Sequence, residues 1–165
     1  MIDHLQNIRT ETHHILSFLL KIDDENAHKK LDEKGWSIME CMEHVFITEK
    51  GIYKLFEHGE LFSNEPSNHF EKLEYYRSKK FVAPDITLPK GRFKTVSEIS
   101  LAFKILRSQF ETYIIHELPK TGEETYPHPI LGPITKTQWI EFMIEHGHRH
   151  LLQMEQIWNK ISTSH

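Results

Sequence analysis

The sequence predicts an all-α protein, a four-helix bundle with one additional short helix and long connecting loops. Four segments carry apolar residues at helical spacing, and three of them open with a capping-box sequence. No stretch shows the apolar and polar alternation that is typical of a strand. We expect one domain spanning residues 1–165, which is enough chain to bury a core without disulfide bonds.

The first two helices are predicted at about residues 2–22 and 37–58. The first carries apolar residues in steps of three and four and ends at a polar run. The second opens with Ser37 and Glu40, which have capping-box spacing, and Gly59 provides its stop signal. Trp36 precedes the cap, in the position of a hydrophobic staple.

The middle of the chain has weaker signals. Tyr75 and Tyr76 lie in a charged stretch with modest helical periodicity, which predicts a short helix. Prolines and Gly91 within residues 84–91 then predict an irregular segment. A connection of this length is unusual in a compact domain, so we expect it to lie across the bundle or around a site.

Two further long helices are predicted after this segment. One opens at the capping box of Thr95 and Glu98 and stops at Pro119. A proline-rich loop leads to the other, which opens at residues 135–138 and runs to about Ile161. Four long amphipathic helices are typical of a helical bundle.

Composition and charge limit the classes of function. The net charge is -4 with both signs interspersed, whereas a nucleic-acid-binding protein presents a basic face. No apolar run approaches the roughly 18 residues of a membrane span, and no secretory signal is visible. Cys41 is the single cysteine, which excludes an internal disulfide bond and favours a reducing cytoplasm. We therefore expect neither a nucleic-acid nor a membrane partner.

Histidine is the unusual residue, with 13 in the chain. At this density about one His-x-x-x-His spacing is expected by chance, so the motif needs support from its position. His146 and His150 have this spacing, and His150 belongs to the apolar stripe of the last helix. Residues four apart project from one helix face, so both rings can reach one ion. Gly147 is expected to leave room beside them.

His44 lies about two turns into the second helix, at the edge of its apolar stripe. Whether it lies level with the other pair depends on helix direction, which the sequence does not show. The inward histidines can be satisfied by several hydrogen bonds or by one shared metal ion. The residues alone leave both interpretations open.

Two stretches resemble the DinB/YfiT-like superfamily of four-helix bundles, which includes bacillithiol-dependent transferases. Residues 35–45 resemble the Trp-Ser and Glu-x-x-x-His start of that family's second helix. Residues 128–153 resemble its His-Pro-x-x-Gly loop, its tryptophan-bearing last helix and its His-x-x-x-His-x-x-Gln motif. The resemblance implies one metal ion held by His44, His146 and His150.

Other candidate residues have more ordinary interpretations. His13 and His14 have no partner at ligand spacing and are expected at the bundle edge. His128 is expected to shape its loop. Cys41 could supply a thiolate ligand, but we expect it to fill space in the core. Side chains that could orient the imidazoles are Glu40, Glu43, Glu145 and Gln153.

Three imidazoles without a fourth protein ligand predict an open coordination site for a divalent metal ion, with zinc or nickel as the expected metal. The resemblance implies a metal-dependent hydrolase or a transferase of a low-molecular-weight thiol, acting on a small-molecule substrate through an activated water or thiolate. It also implies a homodimer. The alternative is a non-enzymatic protein, in which the metal ion ties helices together in a stress-related binding or dimerisation module.

Overall fold

The computed structural model of the chain describes residues 3–59 and 82–163. Four long helices form a bundle, which confirms the predicted fold class, and the shorter elements connect them. The short helix predicted around Tyr75 and Tyr76 lies outside the described residues. The elements in chain order are α1 (His4–Leu19), α2 (Asp24–His28), α3 (Ile38–His58), a 3-10 helix (Asp85–Thr87), α4 (Val96–His116), α5 (Leu118–Thr121), β1 (Thr125–His128), β2 (Gly132–Thr135) and α6 (Lys136–Ser162).

All three predicted capping boxes are present. The side chains of Ser37, Thr95 and Thr135 each accept from the amide three residues later, and the Glu or Gln at that position accepts from the cap's own amide. These local hydrogen bonds explain why α3, α4 and α6 begin where the capping-box sequences predict. The first helix is shorter than predicted: α1 ends at Leu19, and Asp23 then caps a separate short helix, α2.

The structure also contains a short hairpin, which the pattern of apolar residues does not predict. The proline-rich loop forms an antiparallel hairpin in which Thr125 pairs with Thr135 and Pro127 with Pro133. Each strand has four residues, and a proline donates no hydrogen bond to the ladder, so neither strand carries the usual sequence signal. Gly132 has a φ of 73° at the turn, a conformation that favours glycine. Because β2 continues directly into α6, the hairpin fixes the start of that helix.

The core lies between the four long helices, each of which contributes fully buried residues, among them Ile8, Ile38, Ile99 and Met143. Trp36, just before α3, lies beside His150 in the second half of α6. Phe56, near the end of α3, lies against Lys136 at the start of α6. The two helices are therefore antiparallel. Within the described ranges, no helix is both long enough and apolar enough to cross a membrane.

Candidate metal centre

His44, His146 and His150 lie together inside the bundle. One ring nitrogen from each can be chosen so that all three nitrogens lie within 4.8 Å of one another. Nε2 of His44 is 3.1 Å from Nε2 of His146, and all three side chains are buried. The antiparallel packing of α3 against α6 thus places His44 level with the pair on α6, which the sequence could not establish.

Hydrogen bonds determine which nitrogen carries the proton in two of the rings. Nδ1 of His44 donates to the carbonyl oxygen of Thr87 at 2.8 Å, since a carbonyl oxygen can only accept. Nδ1 of His150 donates to Oε1 of Gln153 at 2.9 Å, which confirms Gln153 as an orienting side chain. In the neutral rings Nε2 therefore keeps its lone pair, the form in which histidine binds a metal ion.

The hydrogen-bonding environment of His146 suits a cation that it would share with His44 and His150. Its Nε2 faces the lone pair of His44, and its Nδ1 has no hydrogen-bond partner among the described residues. If Nε2 carries the proton, Nδ1 is a buried acceptor without a donor. If Nδ1 carries the proton, it is a buried donor without an acceptor, and the lone pair on Nε2 faces that of His44. Two nitrogens bound to one tetrahedral zinc ion lie about 3.3 Å apart, close to the observed separation of the Nε2 atoms. The donor atoms and their spacing therefore suit a divalent metal ion.

Burial keeps the three rings neutral. Desolvation lowers the pKa of His146 well below its ordinary value, and the neighbouring rings of His150 and His44 lower it further. Desolvation is also the largest cause that lowers the pKa of His150 to about 4. For His44, desolvation lowers the pKa despite the opposing hydrogen bond to Thr87. Protons therefore compete weakly with a metal ion at neutral pH.

Two aromatic rings pack against the histidines. The centroid of the Trp36 ring lies 4.9 Å from that of His44 and 6.3 Å from that of His150, and Phe142 stacks on His146 at 5.6 Å. The sequence suggested only a helix staple for Trp36. The one signal for a role at the site was its place in the Trp-Ser pattern of the family resemblance.

Residues 87–92 are attached to α3 beside the histidines. Glu43 is buried, and its two carboxylate oxygens accept from the amides of Gly91 at 2.9 Å and Arg92 at 3.2 Å. Gly91 has a φ of 67°, and such a turn can direct successive amides toward one anion. The segment that was expected to lie around a site thus contacts it through Thr87.

None of the remaining candidates belongs to the group of three ring nitrogens that could share an ion. His13 and His14 are exposed on α1, and Nδ1 of His128 accepts from two amides of the hairpin turn, as expected for a residue that shapes its loop. Cys41 is fully buried, and burial raises the pKa of its thiol to about 12, so the thiol fills space in the core. Glu40 completes the capping box of α3 and pairs with a surface lysine. Glu145 lies half-buried on α6.

The space beside Gly147 does not serve the histidines as expected. A Cβ at this position would collide with Oε1 of Glu11 and lie 3.1 Å from Nη2 of Arg107. Arg107 is itself fully buried, with Nη1 2.7 Å from Glu11 and Nε 2.7 Å from Glu49. Gly147 therefore makes room for a buried ion network, which we call the Arg107 network and which comprises Arg107, Glu11 and Glu49.

Comparison with known proteins identifies the family of the chain. The sequence profile of the DinB superfamily matches residues 7–154. The uncharacterized protein YuaE from Bacillus subtilis is 28% identical over 144 residues, which cover 85% of this chain and 88% of YuaE. All three histidines lie within the range that matches the superfamily profile.

YfiT from Bacillus subtilis has the same fold, with a TM-score of 0.64 over 96% of this chain and 86% of YfiT. It is described as a probable metal-dependent hydrolase with an unusual four-helix bundle topology. At 14% identity this likeness shows the fold alone. Because the family profile covers most of the sequence, the chain belongs to the DinB superfamily.

Proposed function

We propose that the protein is a hydrolase of a small-molecule substrate that depends on a divalent metal ion, zinc or nickel, bound by His44, His146 and His150. The observation that carries this proposal is the convergence of three buried, neutral imidazoles on one point. In two of them a hydrogen bond at Nδ1 leaves Nε2 available as a ligand. The description of YfiT supports the same class of reaction.

The chain's own residues prepare the site for catalysis. Three protein ligands leave a tetrahedral ion one further position, which is typical of catalytic rather than structural zinc. A bound ion supplies a Lewis acid that makes a water molecule nucleophilic near neutral pH. Thr87 and Gln153 hold the Nδ1 protons of two rings, and Trp36 provides a half-buried apolar wall beside them.

Transfer of a low-molecular-weight thiol onto an electrophile is the second candidate. Among the residues that the structure describes, the group of atoms that could share an ion consists of imidazole nitrogens and includes no carboxylate. A thiol that coordinates zinc ionises without a general base, because the ion itself lowers its pKa. An all-imidazole site therefore also suits thiol transfer, which is the alternative reaction.

Metal content tests the ligand assignment. Untagged wild-type protein is expected to contain stoichiometric zinc or nickel by elemental analysis, and His146→Ala is expected to lose it because two imidazoles bind weakly. His13→Ala removes an exposed histidine of α1 and is the matched control, with wild-type metal content expected. An unchanged metal content in His146→Ala contradicts the assignment.

Turnover tests the reaction. The metal-loaded protein is screened against esters, amides and pairs of a thiol with an electrophile, and the products distinguish hydrolysis from thiol transfer. Turnover is expected to disappear in His150→Ala and after chelation of the metal. Equal turnover in His150→Ala and the wild type contradicts catalysis at this site. An inactive protein that unfolds when its metal is removed supports the non-enzymatic, structural alternative.

A further inference from the structure

We propose that Glu43 is a positioning residue of the metal site, which acts through the backbone of residues 87–92 and does not touch the ion. The inference rests on the proposed function, because the role exists only if His44 is a metal ligand. From the sequence, Glu43 is one of several side chains that could contact an imidazole. The structure assigns it a different partner, the segment that itself holds His44.

Glu43 and His44 are neighbours on α3, and both bind the same crossing segment. Nδ1 of His44 donates to the carbonyl of Thr87 at 2.8 Å. Four and five residues later, the amides of Gly91 and Arg92 donate to Glu43 at 2.9 and 3.2 Å. The carbonyl that orients His44 is therefore part of a segment whose far end is fixed to α3 by Glu43.

The Glu43 carboxylate is suited to be the stronger of these two attachments. Its residue is 1% exposed, and hydrogen bonds from amides to a buried carboxylate are stronger than those between neutral groups. The positive φ of Gly91 brings two successive amides to one side of the chain, so both carboxylate oxygens are used. Loss of the carboxylate would leave two backbone donors without their acceptor and would release the segment.

Release of the segment would reach the metal ligand through Thr87. That carbonyl fixes both the tautomer and the ring orientation of His44, and with them the position of Nε2 opposite His146. The coupling acts in both directions. An ion on Nε2 of His44 makes the Nδ1 proton a better donor, so metal binding also holds residues 87–92 more firmly against α3.

Glu43→Gln tests the role. Glutamine keeps the size of the side chain but turns an NH2 group toward one of the amide donors. We expect the Zn²⁺ dissociation constant, measured by competition with a chromogenic chelator, to rise about 10- to 100-fold. The visible absorption spectrum of the Co²⁺-loaded variant should also change, because the spectrum reports the ligand geometry. A purely structural role for Glu43 would lower stability without moving that spectrum.

Glu98→Gln is the matched control. Oε2 of Glu98 also accepts from two backbone amides, those of Lys94 at 2.7 Å and Thr95 at 3.2 Å, but at the exposed start of α4. This variant loses the same kind of interaction a few residues further along the chain. We expect it to keep the wild-type Zn²⁺ affinity and Co²⁺ spectrum.

A measurement on the wild type covers the case in which Glu43→Gln fails to fold. Hydrogen exchange at the amides of Gly91 and Arg92 is expected to slow when Zn²⁺ is added. Exchange that does not respond to Zn²⁺ overturns the inference, and so does a folded Glu43→Gln protein with wild-type affinity and spectrum. A wild-type protein that binds no Zn²⁺ overturns the proposed function itself, and the role of Glu43 with it.

Discussion

Among single residues, Gly147 lies between two buried polar groups, the three histidines and the Arg107 network. Its neighbour His146 belongs to the histidine group, while Glu11 and Arg107 occupy the space where a side chain of its own would lie. Glycine within a helix costs about 1 kcal/mol relative to alanine. The glycine is therefore explained by the space that the Arg107 network needs.

Gly147→Ala should lower the free energy of unfolding by about 1–3 kcal/mol, because Glu11 and Arg107 are held by their ion pair and cannot move aside. The matched control is Gly51→Ala in the middle of α3, where a Cβ would meet nothing within 4 Å. That variant should gain up to about 1 kcal/mol from helix propensity. Urea denaturation of both variants measures the difference, and equal stabilities would refute this role for Gly147.

Among the secondary-structure elements, the hairpin is joined to the bundle at the start of α6, through Lys136. Lys136 is buried, and its Nζ lies 2.7 Å from Oε2 of Glu124. The same ammonium group lies 5.4 to 5.6 Å from the centroids of three aromatic rings, those of Phe56, Tyr113 and Tyr126. A cation among aromatic rings thus links α3, α4, β1 and α6.

Lys136→Met keeps the apolar stem but removes the ion pair and the cation-π contacts. We expect a loss of about 1–3 kcal/mol in the free energy of unfolding. Lys120→Met is the matched control, because Lys120 pairs with Glu117 on the surface at 3.4 Å. Its stability should stay within about 0.5 kcal/mol of the wild type. Equal melting temperatures of the two variants would show that the three rings around Lys136 add no stability beyond that of a surface ion pair.

The elements that the sequence predicts well are those encoded by local chemistry. Ser37 and Thr95 each meet their capping partner within three residues, so the starts of α3 and α4 follow from short stretches of chain. The hairpin cannot be predicted from local sequence, because its four-residue strands contain facing prolines and depend on pairing across a turn. The short helix α2 cannot be predicted in this way either, because five residues are too few to show a helical periodicity of apolar residues.

The candidate site likewise contains one part that local sequence predicts and one part that depends on the packing of distant segments. His146 and His150 share one helix face, so their proximity could be predicted from spacing alone. His44 could be added only through the family resemblance, because its level depends on the antiparallel packing of α3 and α6. The contacts of Trp36 and Glu43 depend on where distant segments cross, which no local pattern determines.

At the scale of the whole molecule, the Arg107 network joins three of the four long helices and packs against the fourth. Glu11 lies on α1, Glu49 on α3 and Arg107 on α4, and Gly147 of α6 makes room for them. Two carboxylates and one guanidinium leave a net negative charge in the core when both acids are ionised. Desolvation raises the pKa of Glu49 to about 7 and raises that of Glu11, although Arg107 opposes both shifts.

This network predicts a pH dependence of stability. The folded state holds the Glu49 proton more tightly than the unfolded state, in which the pKa is near 4.5. The resulting stability is complete below that value and is lost as the pH rises to about 7. Relative to Glu49→Gln, the metal-free wild type should lose about 2–3 kcal/mol between about pH 5 and 7.5.

Glu111→Gln is the control for this comparison, since Glu111 pairs with Arg9 near the surface. It should follow the wild-type pH dependence, because the buried histidines titrate alike in all three proteins. Urea denaturation across the pH range gives each curve. A Glu49→Gln protein whose stability runs parallel to that of the wild type would show that Glu49 does not hold a proton in the folded core.

The sequence separation of 102 between His44 and His146 has a consequence for folding. Contacts between such distant positions carry a large loop-closure entropy and form late, after α3 and α6 have docked. Of the three proposed ligands, only His146 and His150 are close in sequence. We therefore expect the proposed ion to bind after these helices have docked rather than to initiate folding. It selects the native topology once formed, and its binding draws the folding equilibrium toward that single arrangement of helices.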